Sequence, residues 1–383
     1  MHSQVLNINS PLWQETIENI RHDIYQLPEY LSLEAKRQNK QSEAILIRDG
    51  DKVFFCPYLI SKCQDIGISQ DLIGEEILEI KSPYGYPGIL LSESAANTPA
   101  FVDLAVNEFQ RILRDKNVCS AFLRMHPILN ENFNHIFQAG FFTENGKTIS
   151  VDLRISESQI WSNTKGNIRN KINKCKRNGF IARMVDFDEY IDEYVGIYQE
   201  TMARTSARDI YFDFNKEYCL QLKSALGEKL HLCVVELENE IASAGLYTES
   251  GGIIQSLFGG TKDKFVKMSP STLETHYARL WAKERGNEFM HMGGGLGASQ
   301  DSLYDFKASF SKLNHSFFTL RLVLEENKYN YLLNLRAKYL NINVESLCKS
   351  NFFPAYNAPI SSIPTPELSE VSEFALTGTL ANK

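Results

Sequence analysis

The densest chemical signal in this sequence is a basic segment near its middle. Between positions 161 and 185 there are no acidic residues and seven basic ones, namely Lys165, Arg169, Lys171, Lys174, Lys176, Arg177 and Arg183. On a helix, Ile168, Ile172 and Cys175 would share one buried face, so the basic side chains would surround the remainder. Such a surface indicates a clamp for phosphates, whether of a sugar nucleotide, CoA or tRNA. A solvated helix face is the alternative interpretation.

Two glycine-rich segments could bring the backbone close to a ligand. In the first, Gly259 and Gly260 precede Lys262 and a helix that opens at Ser269 and Pro270. Helix amides and nearby lysines can hold an anion, which predicts a donor-binding site; a tight turn with solvent-facing lysines is equally compatible with the pattern. The second segment, which contains Gly293 and Gly294, predicts backbone donors for a developing oxyanion.

Lys307 lies beside an apolar stripe that follows the second glycine-rich segment. Leu303, Phe306 and Phe310 form that stripe, and Lys307 is at its margin. A cation there can stabilise a tetrahedral intermediate, although a lone lysine often extends its ammonium to water. Asp305 or Tyr211 is the candidate for handling the proton of an amine nucleophile.

Aromatic and polar residues elsewhere suggest a wall for an acceptor substrate. Tyr84 lies in the rigid run 83–88, Pro-Tyr-Gly-Tyr-Pro-Gly. Arg204 belongs to a second group that includes Tyr198 and Tyr211. Tyrosines suit a pocket that is partly apolar and partly wet, while core packing explains many of them equally well.

The elements that position these residues occur in a repeated order. Residues 43–56 form a hairpin across Asp49-Gly50, followed by an extended piece over 80–91, a helix over 101–115, a strand over 120–125, a short helix near 133–138 and a strand over 148–153. The same order returns as a hairpin across Glu238-Asn239, an extended piece over 253–258, a helix over 271–285, a strand over 288–292, a helix over 303–310 and a strand over 316–323. From the helix on, matching elements lie about 170 residues apart, which is typical of a duplication. A helical stretch over 161–226 separates the two copies.

Length and composition define the broad class. The chain has 383 residues and is 43% hydrophobic, which predicts a globular protein of two domains, or of one domain plus a tail. Its alternating strands and helices predict an α/β fold. Because the formal charge of the whole chain is -7, any anion-binding site must be local. We expect domains over 1–155 and 156–330, then a helical segment over 331–383 that ends in a Pro/Ser-rich tail unable to bury a core. The sequence has no secretory leader and no long apolar run, which predicts a cytoplasmic protein without integral membrane association. It has no Cys-x-x-Cys pair, which predicts reduced thiols and no metal site.

The ordered set of motifs resembles the FemAB-type transferases, a branch of the GNAT-type acyltransferases. The resemblance is carried by the basic segment 167–179, by Phe258-Gly259-Gly260-Thr261 with its following helix, and by the run from Gly293 to Phe310; it extends to residues 25–30 and 82–86 and covers roughly residues 10–325. It implies tandem GNAT-like lobes, each a mixed β-sheet flanked by helices, with the active cleft mainly in the second. It also implies that Lys307 stabilises the transition state and that Arg169, Lys174 and Arg177 contact phosphate.

These observations together predict an N-acyltransferase without a tightly bound cofactor. An amine of a sugar, sugar nucleotide or cell-envelope precursor, itself phosphorylated, would attack an activated carbonyl. The chain lacks the Gln/Arg-x-x-Gly-x-Gly/Ala loop that holds CoA in ordinary GNAT enzymes. Acyl-CoA and aminoacyl-tRNA therefore both remain open as donors, and a tRNA-dependent aminoacyltransferase or a non-catalytic phospholigand-binding protein are the alternatives. The oligomeric state is left open.

Overall fold

The structure is a computed structural model that describes residues 1–63, 76–131, 133, 142–205 and 211–364. The elements of the first part of the chain are β1 His2–Asn7, α1 Pro11–Glu18, α2 Pro28–Arg37, β2 Gln41–Asp49, β3 Lys52–Lys62, β4 Leu78–Lys81, β5 Leu90–Leu91, α3 Glu93–Ala96, α4 Pro99–Asp115, β6 Val118–Arg124 and β7 Phe142–Asp152. The predicted hairpin, helix and strands of the first copy are confirmed. The predicted helix near 133–138 lies outside the described residues apart from Phe133.

The remaining elements follow the predicted order of the second copy. They are α5 Glu157–Asn163, α6 Gly166–Arg177, β8 Ile181–Val185, α7 Phe187–Arg204, α8 Lys216–Leu226, β9 Leu230–Leu237, β10 Glu240–Ser250, β11 Ile253–Thr261, α9 Pro270–Glu284, β12 Phe289–Gly293, α10 Ser302–Lys307, β13 Asn314–Val323, α11 Glu326–Leu340 and α12 Val344–Cys348. One expectation is wrong: the stretch 161–226 is not wholly helical. Gly179, with a φ of 86°, ends α6 and the chain then forms β8.

Turn chemistry explains why the hairpins form where the sequence predicts them. Gly50 has a φ of 61° at the β2–β3 turn. Glu238 and Asn239 both have positive φ, 50° and 64°, which is the requirement of a type I′ turn between β9 and β10.

The strands form a 13-stranded sheet in the order β1-β2-β3-β4-β6-β13-β7-β12-β11-β10-β9-β8, with β5 paired to β3. β11 and β12 run parallel, whereas β7 runs antiparallel to both of its neighbours, β12 and β13. The chain therefore has the predicted α/β fold with a mixed sheet flanked by helices. β7, from the first copy, lies between two strands of the second.

By compactness the chain divides into two units. One comprises Met1–Ser61, Ile80–Ile112 and Leu123–Leu320, and the other Lys62–Glu79, Leu113–Phe122 and Arg321–Lys383. The first unit holds every candidate site residue. The domain boundaries expected at residues 155 and 330 stay a prediction.

The second unit corrects the expectation that the chain after Asn351 cannot bury a core. Ala355, Tyr356 and Ala358 are buried, and Tyr356 packs in one apolar cluster with Cys63, Cys119 and residues of α11. Proline-rich sequence therefore does not prevent residues 351–364 from contributing to a core.

Helix α9, which follows the glycines Gly259 and Gly260, begins where the sequence predicts, but Ser269 does not cap it with its side chain. Pro270 occupies the first helical position of α9, and Gly286, with a φ of 82°, follows its end. Ser269 adopts the left-handed conformation and makes no side-chain cap; its carbonyl instead accepts hydrogen bonds from the amide and hydroxyl of Thr272.

Candidate functional site

Lys307 lies at the end of α10, partly buried and turned towards the glycine-rich loop. Its Nζ donates a hydrogen bond to the carbonyl oxygen of Gly294 at 2.6 Å, and burial lowers the pKa of the ammonium to about 8. A side chain at Gly293 would put its Cβ 3.4 Å from Nζ, and the φ of 75° there favours glycine. The structure therefore places Lys307 beside Gly293 and Gly294, and the contact uses a carbonyl rather than an amide; their role towards an oxyanion stays a prediction.

Tyr86 approaches the same point from the first half of the chain. Its hydroxyl oxygen would lie 3.9 Å from a Cβ at Gly293, and its ring packs edge-on against His291 at 5.4 Å between centroids. Two features require glycine at position 85: its φ is 90°, and the ring of Tyr25 occupies the space that a Cβ would need. The loop 83–88 thus forms a rigid aromatic wall beside Lys307.

Tyr84, the acceptor-wall candidate, packs against Phe214 and Phe258 at 5.1 and 5.7 Å between ring centroids. Burial chiefly raises the pKa of both Tyr84 and Tyr86; Tyr211 raises them further and Arg124 opposes the rise. These electrostatic interactions indicate that Tyr211 and Arg124 lie near the wall.

Sequence reasoning did not consider Arg124, and it included Tyr86 only as part of the run 83–88, from which it nominated Tyr84. Arg124 is the last residue of β6, and a charged residue at a strand end was the available signal. Asp305, by contrast, is exposed and lies two positions before Lys307 on α10, so the two side chains leave the helix in different directions.

The basic segment folds as predicted around its apolar face. Ile168, Ile172 and Cys175 of α6 are buried. Within the described residues, no carboxylate lies within salt-bridge distance of Lys165, Arg169, Lys171, Lys174, Lys176 or Arg177, of which Arg169 is half-buried and the others exposed. The seventh basic residue corrects the prediction, because Arg183 lies on β8 and pairs with Glu236 at 3.0 Å.

Two other basic site candidates, the donor-binding candidate Lys262 and the acceptor-binding candidate Arg204, are already paired. Lys262 contacts Glu193 at 2.5 Å, and Arg204 forms an ion pair with Asp263. Packing explains the glycine at position 260, since a Cβ there would lie 2.6 Å from the hydroxyl of Thr201 on α7. Gly259 is exposed on β11.

A pocket of about 220 Å³ lies at the N-terminus of α9. Its lining consists of Lys171, Arg204, Thr261, Val266, Ser269, Ser271, Thr272 and Phe306. It combines two basic side chains with four hydroxyl groups at the positive end of a helix, a combination that suits an anion. Phe306 is the neighbour of Lys307 on α10, so the pocket and the candidate catalytic lysine share one element.

Glu274 and the histidines were not nominated from sequence. Burial raises the pKa of Glu274 to about 7, and its carboxylate accepts hydrogen bonds from Ser243 and Tyr247. His126 and His291, isolated in sequence, lie 6.3 Å apart between ring centroids. In the parts of the chain that the structure describes, no His, Cys, Asp or Glu cluster could hold a metal ion, and no helix is long and apolar enough to cross a membrane.

Comparison with known proteins supplies the family context. The sequence model of a family described as "Acetyltransferase (GNAT) domain" matches residues 162–307. The crystal structure of FemX is similar at a TM-score of 0.65 and 12% identity, over 86% of this chain and 99% of that one. The C-terminal domain (DUF2156) of a putative lysylphosphatidylglycerol synthetase from Agrobacterium fabrum has a TM-score of 0.50 and 14% identity, over 84% and 94%. None of the curated proteins matches the chain. At these identities the structural likeness shows a shared fold.

Proposed function

We propose that this chain, a FemAB-like member of the GNAT family, is an N-acyltransferase that moves an acyl or aminoacyl group onto an amine. One observation carries the proposal: Lys307 lies one residue from Phe306, which lines an anion-suited pocket at the start of α9. A phosphate-bearing donor in that pocket would have its carbonyl within reach of α10.

The reaction needs positioning and charge stabilisation rather than a covalent enzyme intermediate. The amine nitrogen attacks the carbonyl carbon, a C–N bond forms, and the C–S or C–O bond to the donor breaks. In the tetrahedral state the carbonyl oxygen carries negative charge. Lys307 would turn its Nζ from the Gly294 carbonyl to that oxygen.

The donor assignment rests on the pocket and on α6. Lys171 and the Ser269–Thr272 turn are proposed to hold the phosphates nearest the carbonyl. Arg169, Lys174 and Arg177 would contact further phosphates along the helix, whereas the pairing of Lys262 with Glu193 makes it a weaker candidate. Acyl-CoA and aminoacyl-tRNA both present phosphates to such a surface.

The acceptor is proposed to be the amine of a sugar, a sugar nucleotide or a cell-envelope precursor. Tyr84, Tyr86 and Tyr211 would bound it on one side, and Arg124 would pair with an acidic or phosphorylated group. Tyrosine side chains suit this role because they offer both an apolar face and a hydroxyl.

The unpaired cations on α6 favour one variant of this function, a tRNA-dependent aminoacyltransferase. Four of the five cations within α6 are exposed, and of these five only Lys171 lines the pocket. A polyanion longer than CoA would also engage Arg169, Lys174 and Arg177. The similarity in fold to a putative lysylphosphatidylglycerol synthetase domain, whose name refers to an aminoacylated product, supports the same variant.

The test is mass spectrometry of candidate amine acceptors incubated with acyl-CoAs or with charged tRNAs. We expect an N-acylated product whose formation falls by about 10²–10³ in Lys307→Met, as for loss of an oxyanion donor. Lys312→Met, an exposed lysine shortly after α10, is the matched control and should be unaffected. RNase sensitivity would identify tRNA as donor. Wild-type turnover by Lys307→Met, or salt-dependent phospholigand binding without product from any donor, would overturn the proposal.

A further inference from the structure

One face of the sheet carries a row of polar residues across the five neighbouring strands β10, β11, β12, β7 and β13. Thr248 on β10 is opposite Gln255 on β11, Gln255 is opposite His291 on β12, and His291 is opposite Ser150 on β7. Two residues before Ser150, Thr148 is opposite His315 on β13. Directly opposite residues share a face, so we call these six side chains the polar row. All six are buried.

Five of the six residues in the polar row have a polar side-chain atom without a hydrogen-bond partner among the described residues. Buried atoms with no hydrogen-bond partner among the described residues include Oγ1 of Thr248 and Thr148, Oγ of Ser150, and Nε2 of His291 and His315. An unsatisfied buried polar group costs about 1–3 kcal/mol, so five of them in one place would be very unfavourable if the space between them were dry. Internal water is the usual partner of such groups.

The hydrogen bonds around His291 fix which of its nitrogens carries the proton. Nδ1 of His126 faces the amides of Ile128 and Leu129 and must accept, so its Nε2–H donates to Asp23 at 2.9 Å. Asp23 accepts in turn from Nε2 of Gln255.

The Oε1 atom of Gln255 must therefore accept, and it lies 2.7 Å from Nδ1 of His291. His291 consequently holds its proton on Nδ1. Its Nε2 keeps a free lone pair, and this is the atom that has no protein partner.

One half of the polar row leads from the candidate active site towards the surface. His291, in the middle of the row, packs against Tyr86, and its pKa is lowered first by burial and then by electrostatic interaction with His126, His315 and Lys307. At the β13 end of the row, Nδ1 of His315 lies 3.2 Å from Glu131, whose side chain is 56% exposed. A neutral imidazole beside Lys307 is thus connected by orphaned polar atoms to a solvent-facing carboxylate.

We propose that the polar row is a hydrated path by which the proton released at the acceptor amine leaves the active site, with His291 Nε2 as the first protein atom to receive it. This rests on the proposed acyl transfer. As the C–N bond forms, an N–H bond of the attacking amine breaks and its proton passes through water to Nε2, while the C–S or C–O bond breaks and the donor leaves as a thiolate or as an alkoxide that takes a proton from water. From the imidazolium it moves through waters held by Ser150 and Thr148 to His315 and Glu131, and His291 returns to its neutral form. No oxidant or further reactant is required.

A crystal structure at a resolution that shows ordered water tests the path without any assay. We expect waters within hydrogen-bond distance of His291 Nε2, Ser150 Oγ and His315 Nε2. A dry interior at these atoms would overturn the proposal whatever the reaction is.

Kinetics test the proton transfer. His291→Asn should lower kcat by about 10² at pH 7 with little change in KM, as for loss of a general base. Because hydroxide can replace a lost base, the deficit should shrink about tenfold per pH unit towards pH 9. A purely structural role would leave a deficit that does not depend on pH in this way, and that result would contradict the path.

Two further variants, one milder substitution and one matched control, keep the kinetic test decisive if His291→Asn does not fold. Ser150→Ala removes one hydroxyl, should fold even where His291→Asn does not, and should lower kcat about tenfold with the same pH trend. His231→Asn is the matched control, because His231 contacts Glu249 and Trp281 on the opposite face of the sheet. Wild-type kcat in Ser150→Ala and His291→Asn would overturn the path while the acyltransferase stands. Absence of wild-type turnover with every donor would refute the proposed function, and the water positions would still decide the path.

Discussion

At the scale of single residues, Lys307 gains its character from what surrounds it. The loop at Gly293 and Gly294 brings a carbonyl to its ammonium, and burial brings the pKa of that ammonium down to about 8. A lysine whose pKa lies near neutrality is common where a charge is used in chemistry. The same burial makes its charge depend on pH in an accessible range.

Lys307 predicts an alkaline loss of activity. Above pH 8 the ammonium loses its proton, so kcat should fall by up to about tenfold per pH unit if the cation stabilises the oxyanion. Lys307→Arg keeps a positive charge to much higher pH and should retain its residual activity across this range. The measurement is kcat from pH 6 to 10 for both proteins. An identical alkaline limb in Lys307→Arg would assign the limb to another group.

At the scale of elements, α6 and α9 form an anion-suited surface between them. α6 presents Lys171 to the pocket while its apolar face packs with the core, and α9 contributes its N-terminus and the hydroxyls of Ser271 and Thr272. Both helices are positioned by burial of apolar residues. Their polar ends are therefore held in place before a ligand arrives.

Lys171 and Lys176 provide a comparison on one helix. Lys171→Gln should weaken donor binding about tenfold, roughly 1.4 kcal/mol. It should also reduce the slope of log affinity against log salt concentration by about one, because one counterion fewer is released. Lys176→Gln removes an exposed charge that does not line the pocket and should change affinity much less. Calorimetric titration with the donor that supports turnover measures both. Equal losses in the two variants would mean that α6 attracts anions without a defined pocket.

At the scale of the whole molecule, stretches of the chain that are far apart in sequence contribute to the same sheet and to the same buried hydrogen-bond network. β7 lies between β12 and β13, so the strand order does not follow the chain order. In the second unit the hydroxyl of Tyr356 lies 2.7 Å from that of Ser120 and 3.1 Å from a carboxylate oxygen of Glu79. A residue near the C-terminal end of the described chain thus satisfies buried groups contributed by its first half.

Tyr356 predicts a measurable contribution to stability. Tyr356→Phe leaves Glu79 and Ser120 short of a partner and should lower the free energy of unfolding by about 1–3 kcal/mol. Tyr356→Ala also leaves a cavity and should cost about 3–5 kcal/mol. Tyr339→Phe on α11, where the tyrosine is 59% exposed, should be neutral. Urea denaturation compares the three variants; a neutral Tyr356→Ala would show that residues 351–364 do not support the core.

Sequence alone determined the features that depend on neighbouring residues. Periodicity placed the buried face of α6 at Ile168, Ile172 and Cys175, and turn residues placed both hairpins. The spacing from the glycine-rich loop to Lys307 also led to a real contact, because a strand, a tight loop and a short helix leave the chain few alternatives.

Tertiary structure decided which charges remain unpaired and which isolated residues meet. Arg183 and Lys262 are paired to Glu236 and Glu193, partners that are 53 and 69 positions away, so no local pattern marks their charges as satisfied. The polar row depends on strand register, and a shift of one residue would turn its side chains to the other face. Register is set by packing across the whole sheet, which is why the histidines looked isolated in the sequence and lie together in the fold.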